Sequence, residues 1–231
     1  LDETQRALSN NSVVYTEAPD VNIFLKEWMS LIESKSGERG IFNRMAAKKQ
    51  VEKLGDRRDP NYSFGTNPCS EIILRDAEFC NLTEVVIRPD DKPESLRNKE
   101  TLAVLTNQLH AKQLGINPSA AITCVKPSGT VSQLVDAASG IHTRHSPFYI
   151  RTVRGDKKDP LCQFMVEKGI PHESDVTKPE HTWVFSFPIK TAKTAICRND
   201  KTAIEQLEFW KLYQEHWCEH KPSVTITVKE D

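Results

Sequence analysis

Apolar residues recur at helical spacing over residues 21–34, where Val21, Phe24, Leu25, Trp28, Leu31 and Ile32 share a face and Asp20 stands in the N-cap position. Residues 43–54 predict a second helix with Gly55 just beyond it, after a turn at Ser36-Gly37-Glu38-Arg39-Gly40. Residues 56–61, which carry Pro60, read as loop. Residues 71–74 and 79–87 are rich in Ile, Leu and Val. The polar stretch Arg75-Asp76-Ala77-Glu78 separates them, so they predict two strands or one interrupted hairpin. A loop at 89–93 precedes a long helix over 95–114, stopped by Gly115. Residues 120–125 predict a strand, 126–130 a turn and 131–138 a short helix. Then come a strand at 149–154, a helix opened by Asp159-Pro160 and ending at Gly169, and a strand at 183–189. Residues 202–220 predict a strong helix with Ile204, Leu207, Trp210, Leu212 and Trp217. Val224, Ile226 and Val228 alternate with Thr225 and Thr227, the pattern of a half-buried strand. Strands alternating with helices predict an α/β fold with a mainly parallel sheet or barrel, in one domain spanning residues 1–231.

Composition narrows the function. With 31 Lys plus Arg against 32 Asp plus Glu, the net charge is −1, which argues against a nucleic-acid-coating protein but not against a nucleotide site. Apolar residues make up 38%, enough for a globular chain of 231 residues. No apolar run approaches the length of a membrane span, and the start does not read as a secretory signal, so a cytoplasmic location is expected. The chain starts at Leu1 and ends at Asp231, and both ends look cut, as in a fragment or one half of a split gene. None of the six cysteines forms a C-x-x-C pair, and in a reducing compartment the default for each is an inert thiol.

One segment concentrates chemistry: Gly65-Thr66-Asn67-Pro68-Cys69-Ser70-Glu71. Pro68 disfavours helical backbone at Asn67, so the stretch is expected to be extended or looped. If it is extended, Asn67, Cys69 and Glu71 face one side at intervals of roughly 7 Å. An amide, a thiol and a carboxylate in a row suit a substrate with vicinal hydroxyls. The carboxylate accepts a hydroxyl proton, the amide holds its neighbour, and the thiol gives up a hydrogen atom. The same residues are equally compatible with an ordinary loop cysteine beside a capping Asn. A second candidate, Lys126-Pro127-Ser128-Gly129-Thr130-Val131-Ser132, lies between the strand and the helix. Free N–H groups at a helix start bind anions, although the spacing is not that of a P-loop and a plain helix cap explains it too.

Together these motifs resemble the ribonucleotide reductases. Asn67-Pro68-Cys69-Ser70-Glu71-Ile72 is similar to that family's finger-loop motif, and Phe79-Cys80-Asn81-Leu82 follows at the distance of its second landmark. Lys126-Pro127-Ser128-Gly129-Thr130, Ala137-Ala138-Ser139-Gly140-Ile141-His142 and Tyr149-Ile150-Arg151 resemble the adenosylcobalamin-dependent triphosphate reductases in particular. So do Leu8-Ser9-Asn10-Asn11-Ser12 and Ser36-Gly37-Glu38-Arg39-Gly40-Ile41-Phe42-Asn43. The resemblance implies part of a ten-stranded α/β barrel with a central finger loop at 65–72 and a phosphate loop at 126–132. It implies reduction of ribonucleoside triphosphates to deoxyribonucleotides for DNA synthesis by a thiyl-radical mechanism. Cys69 would form the radical, Glu71 would be the base at the ribose 3′-hydroxyl, and Asn67 would hold the ribose hydroxyls. Cys80 would be one of two reducing cysteines. Ser128, Gly129, Thr130, Val131 and Ser132 would bind substrate phosphate. Adenosylcobalamin would be the cofactor and a thioredoxin-like protein the reductant, with no direct nucleic-acid or membrane partner.

Three departures qualify what the resemblance implies. In that family the partner of Cys80 lies well upstream, and no cysteine precedes Cys69 here; Cys124, Cys162, Cys197 and Cys218 read as structural. The family's N-terminal nucleotide-sensing region and C-terminal shuttle cysteines are not in this sequence. The 43 residues between Leu82 and Lys126 bridge the Cys-Asn-Leu segment and the phosphate loop, where the family carries a longer helical stretch, which implies an internal deletion. The alternative reading is therefore a non-catalytic fragment or split-gene half that binds nucleotide and needs a complementary N-terminal chain. Lesser candidates have bland readings. His142 and His145, with Asp136 or His110, are weak metal ligands, and no metal is expected. His216 and His220 lack the H-E-x-x-H pattern, and Arg151, Arg154, Lys157 and Lys158 form a small basic patch.

Overall fold

The computed structural model describes residues 12–35, 40–88 and 91–228. Residues 8–11 and 36–39 of the motifs quoted above, Pro89 and Asp90 of the expected loop, and the terminal Asp231 lie outside the described residues. The chain forms two compact units. The first takes residues up to His142 together with Ile204–Ile226, and the second takes Thr143–Ala203 and the residues after Ile226.

In the first unit, β1 (Ser12–Tyr15) pairs in parallel with β2 (Gly40–Asn43), Ser12 facing Gly40 and Tyr15 facing Asn43. Between them runs α1 (Val21–Ser34), capped as expected: the Asn22 amide donates to the Asp20 carboxylate at 2.9 Å. Asn43 ends β2 and caps α2 (Arg44–Glu52), accepting from the Ala46 amide at 3.0 Å. A 3-10 turn at Gly55–Arg57 leads to β3 (Gly65–Thr66), which pairs antiparallel with β4 (Ile73–Leu74). Phe64, Ile73, Ala47 and Val51 form the core beneath this hairpin, with Phe42 packed against it. The long helix α3 (Pro93–Leu114) ends on Gly115 in left-handed backbone, as its sequence predicts. The short helix α4 (Val131–Leu134) covers half the expected length. A second core cluster joins Leu96, Val125, Tyr213 and Cys218.

The second unit holds β5 (Phe148–Asp156), α5 (Pro160–Glu167), β6 (His172–Ser174) and β7 (Thr182–Lys190) in a three-stranded sheet of order β5-β7-β6. Gly155 lets β5 lie against α5, because a Cβ there would meet the Cys162 sulfur at 2.3 Å. Helix α6 (Ala203–His216) returns the chain to the first unit.

The architecture is mixed α/β, but the parallel expectation needs correction. Both ladders of the three-stranded sheet are antiparallel. β5 and β6 run parallel to each other across the α5 crossover, and β7 inserts between them, so each finds an antiparallel neighbour. Among the described residues the strands form three separate small sheets, not a closed barrel. Residues 79–87, 120–125 and 224–228 are not regular strands either. Phe64 is fully buried and carries the Arg58 guanidinium over its ring at 5.0 Å. Phe64→Ala is expected to cost about 3–5 kcal/mol, read as a lower urea midpoint at unchanged slope.

Candidate functional site

The sequence Asn67-Pro68-Cys69-Ser70 folds as a β-turn, not as an extended row. The Ser70 amide donates to the Asn67 carbonyl at 2.9 Å, and Pro68 occupies the second turn position, where its fixed φ fits. Ser70 sits at φ 65° in the left-handed region and swings the chain back. The Asn67 amide then meets the Ile72 carbonyl at 3.1 Å, and the Asn67 side-chain carbonyl accepts from the Ile72 amide at 2.9 Å. This closes the β3–β4 hairpin. Asn67 and Glu71 point inward, 8% and 1% exposed, and the Asn67 amide donates to Glu71 Oε1 at 3.0 Å. Cys69 is left at the exposed tip. The three side chains expected on one face are therefore divided into a buried pair and an outward thiol.

A buried carboxylate needs a partner. Glu71 Oε1 has a second one in Lys126, which forms an ion pair with it. Burial pulls the Glu71 carboxyl up, but the bonds from Lys126 and Asn67 outweigh it, and the group sits below the ordinary carboxylate range. Its other oxygen, Oε2, is buried with no hydrogen-bond partner among the described residues. The stretch 219–223 braces the site from behind. The Lys221 amide donates to the Glu71 carbonyl at 3.2 Å, and the Ile73 amide donates to His220 Nδ1 at 3.2 Å. On the other side, the Glu219 amide reaches the Thr123 carbonyl at 2.9 Å and the Ser223 amide the Val125 carbonyl at 2.8 Å. The Glu219 carboxylate pairs with Arg57 and accepts from the Ile122 amide at 2.5 Å.

Lys126 is placed by a close approach. Gly140 has φ 58°, and a Cβ there would lie 2.7 Å from the Lys126 carbonyl oxygen. The neighbouring Ser139 hydroxyl accepts from the Ser128 amide at 2.8 Å. In the expected phosphate loop, the Ser128 hydroxyl donates to Glu84 at 2.8 Å and accepts from the Ser132 amide at 3.0 Å. Gly129, Thr130 and Val131 are exposed and Ser132 is buried. A carboxylate thus sits beside this loop, an unfavourable neighbour for an anion unless it moves.

The remaining candidates have surroundings of their own. Cys80 is exposed in the irregular stretch before residue 88. His142 has Thr225 on Nδ1 at 3.0 Å and Ser223 on Nε2 at 3.3 Å. His216 accepts from Arg97 at 2.9 Å. Arg154 is paired with Asp175 at 2.6 Å, and the Lys157 ammonium lies 3.7 Å from the Trp183 ring centroid. No group of three or more His, Cys, Asp or Glu among the described residues is placed to hold a metal ion. No described helix is long and apolar enough to cross a membrane.

No protein-family model matches the chain. Individual relatives do. The adenosylcobalamin-dependent ribonucleoside-triphosphate reductase of Euglena gracilis is 32% identical over 282 residues, covering 93% of this chain and 38% of that protein. The enzyme of the same description from Lacticaseibacillus paracasei is 25% identical over 315 residues, covering 97% and 41%. The chain is homologous to one part of these cobalamin-dependent reductases. It spans well under half the length of the reductases it matches. The Lactobacillus acidophilus reductase is 30% identical over 155 residues, covering 64% of this chain. A crystal structure of a B-12 dependent (class II) ribonucleotide reductase superposes with a TM-score of 0.48 at 23% identity, covering 84% of this chain and 26% of that one. The match to the Euglena reductase is 282 residues long, more than the 231 of this chain, so the reductase holds residues inside the matched span that this chain lacks.

Reading the sequence alone did not find Lys126 as the partner of Glu71, nor the bracing by Glu219, His220 and Lys221. The basic residue just ahead of Pro127-Ser128 was the only available signal for Lys126, since 55 positions separate it from Glu71.

Two predictions follow from this geometry. Burial and the nearby Arg58 push the His220 imidazolium down to about 4, below its ordinary value of 6.5. As pH falls from about 6.5 to about 4, the unfolded chain binds a proton here that the folded chain does not. Stability is therefore full above that window and declines through it, by on the order of 3 kcal/mol from this group. His220→Gln, which keeps an acceptor for the Ile73 amide, should flatten that part of a stability–pH curve. Gly140→Ala should cost about 1–3 kcal/mol in a urea melt, because the added Cβ strains the left-handed backbone and pushes on the carbonyl of Lys126.

Proposed function

We propose that this chain carries the ribose-handling part of a ribonucleoside-triphosphate reductase and reduces its substrate by thiyl-radical chemistry. The observation that carries the reading is the buried, unpartnered Oε2 of Glu71, beside Asn67 and two residues from an exposed cysteine. A buried acceptor without a partner calls for a group to fill it, and a substrate hydroxyl does so. Asn67 has spent its carbonyl on Ile72 and one amide hydrogen on Glu71, which leaves the second amide hydrogen for a neighbouring hydroxyl. Glu71 is held ionised by Lys126, so it meets the 3′-hydroxyl as an acceptor and takes its proton as the sugar reacts.

Cys69 is the hydrogen-abstracting residue in this reading. Its thiol is free and exposed at the turn tip, a position that fits contact with a cofactor from outside and with a sugar laid over Glu71. Adenosylcobalamin, when bound, supplies a carbon radical by homolysis of its cobalt–carbon bond. Cys80 is one of the residues that supply reducing electrons, renewed by a thioredoxin-like protein. Residues 128–132 take the triphosphate, with Glu84 displaced from the Ser128 hydroxyl. In the whole enzyme these parts belong to a ten-stranded barrel of which this chain forms a portion, working in the cytoplasm.

A second reading is favoured by one feature of α1. None of its residues is buried, and Val21, Leu25, Trp28, Met29 and Ile32 are exposed. Such a face suits a complementary chain that completes the barrel and without which no turnover occurs. Incubating the chain with adenosylcobalamin, a ribonucleoside triphosphate and a dithiol should yield deoxyribonucleotide and a cob(II)alamin signal, both lost in Cys69→Ala. Absence of both from the unaltered chain would sink independent activity. Their appearance only after addition of the N-terminal portion of a related reductase would support the second reading.

A further inference from the structure

The stretch 79–86 is fixed at both ends and tied once between them. At its start, the Glu78 carboxylate pairs with Arg58 at 2.5 Å and with Arg75 at 2.6 Å. At its end, Ile87 packs against the core cluster of Leu96 and Val125, and the Arg88 amide donates to Asp91 at 2.8 Å. Between these anchors the chain carries no helix or strand, and Phe79, Leu82 and Val85 are exposed. Among the described residues, the bond from the Ser128 hydroxyl to Glu84, at 2.8 Å, is the one hydrogen bond that 79–86 makes. Cys80 lies in the same stretch and is exposed.

A hydroxyl has one hydrogen to give. That of Ser128 goes to Glu84, while its oxygen accepts from the Ser132 amide at 3.0 Å. The Ser128 amide is also committed, donating to the Ser139 hydroxyl at 2.8 Å. A phosphate oxygen that takes the Ser128 hydroxyl therefore takes it from Glu84. Repulsion between the two anions then keeps the carboxylate from remaining alongside. Ser128 serves Glu84 or a phosphate, and not both.

We propose that Glu84 is a latch that holds the stretch 79–86 on the loop at 126–132, and that a phosphate-bearing substrate opens it and frees Cys80 to move. Glu78 and Ile87 keep their partners when the latch opens, so the motion is confined to the residues between them. That regulation rests on the reading of 128–132 as the phosphate site. In the proposed reaction Cys80 supplies reducing electrons, so the latch gives that thiol its range of motion when the loop is filled. Linkage runs both ways: closure of the latch weakens anion binding by the factor by which the anion opens the latch.

Inorganic tripolyphosphate is the probe, and the full chain needs no cofactor for the test. Its affinity is measured by calorimetry, and alkylation of Cys80 is timed by peptide mass spectrometry. Saturating tripolyphosphate should speed Cys80 alkylation in the unaltered chain by about threefold, the scale of one exposed charged hydrogen bond. In Glu84→Ala the rate should be fast from the start and indifferent to the anion, which should bind about threefold tighter. Ser128→Ala breaks the same bond from its other end without changing charge, and it should give the same fast rate with no anion present. Glu84→Gln, which keeps an acceptor for Ser128, should stay closer to the unaltered chain than to Glu84→Ala. Binding of tripolyphosphate with an unchanged Cys80 rate would overturn the latch and leave the phosphate site standing. So would Cys80 rates in Glu84→Ala and Ser128→Ala equal to that of the unaltered chain. No binding of tripolyphosphate by any of these chains would count against the phosphate site and the latch together. Latch opening in a chain that forms no deoxyribonucleotide would count against the reductase reading alone.

Discussion

Glu71 places a carboxylate where water scarcely reaches, and much of the first unit is arranged around that fact. Burying one ionised group alone costs several kcal/mol, more than most single contacts return. The charge is kept because Lys126 and Asn67 both serve the same oxygen. Each of those partners depends on something else. Asn67 is oriented by the Ile72 amide and the turn at Pro68, and Lys126 by the approach that Gly140 permits. The backbone on either side of Glu71 is gripped in turn by His220 and Lys221. Removing Lys126 would leave a buried charge with one neutral donor, so the pair matters more as a constraint on the surrounding chain than as a net source of stability.

Features set by near neighbours were legible in the sequence. Asp20 and Asp159 cap the helices that follow them, and Gly115 ends α3, because a cap depends on three or four consecutive residues. The four short strands of the first unit were mostly not legible. Two-residue strands such as β3 and β4 have no period to detect, and β1 and β2 are four residues each and stabilised by one another across the α1 connection. Residues 79–87 and 224–228 have strand composition without a strand ladder, since composition reports a half-buried surface and not a hydrogen-bonding partner. In the second unit the helix between β5 and β6 does connect parallel strands. The later strand β7 entered the gap, an order that local pattern does not encode.

The site divides along the same line. The residue types at 67–71 mark a candidate site in the sequence, but their geometry was read from strand alternation, and one left-handed residue, Ser70, rearranged it. What alternation would have put in a row became a buried amide–carboxylate pair with a thiol outside. The supporting residues at 126 and 219–221 come from distant parts of the chain, and only folding brings them to Glu71.

The ion pair also limits what Glu71 can do. A carboxylate whose pKa is depressed has less affinity for a proton, so it is a weaker base than an isolated glutamate in the same apolar setting. In exchange it is ionised throughout the neutral range, and its second oxygen always has acceptor capacity. In the proposed reaction such a group polarises the 3′-hydroxyl continuously and gains most when that hydroxyl becomes more acidic, as it does once a hydrogen atom leaves the adjoining carbon. On that proposal radical formation comes first and proton transfer answers it, so the timing lies with the thiol and not with the carboxylate.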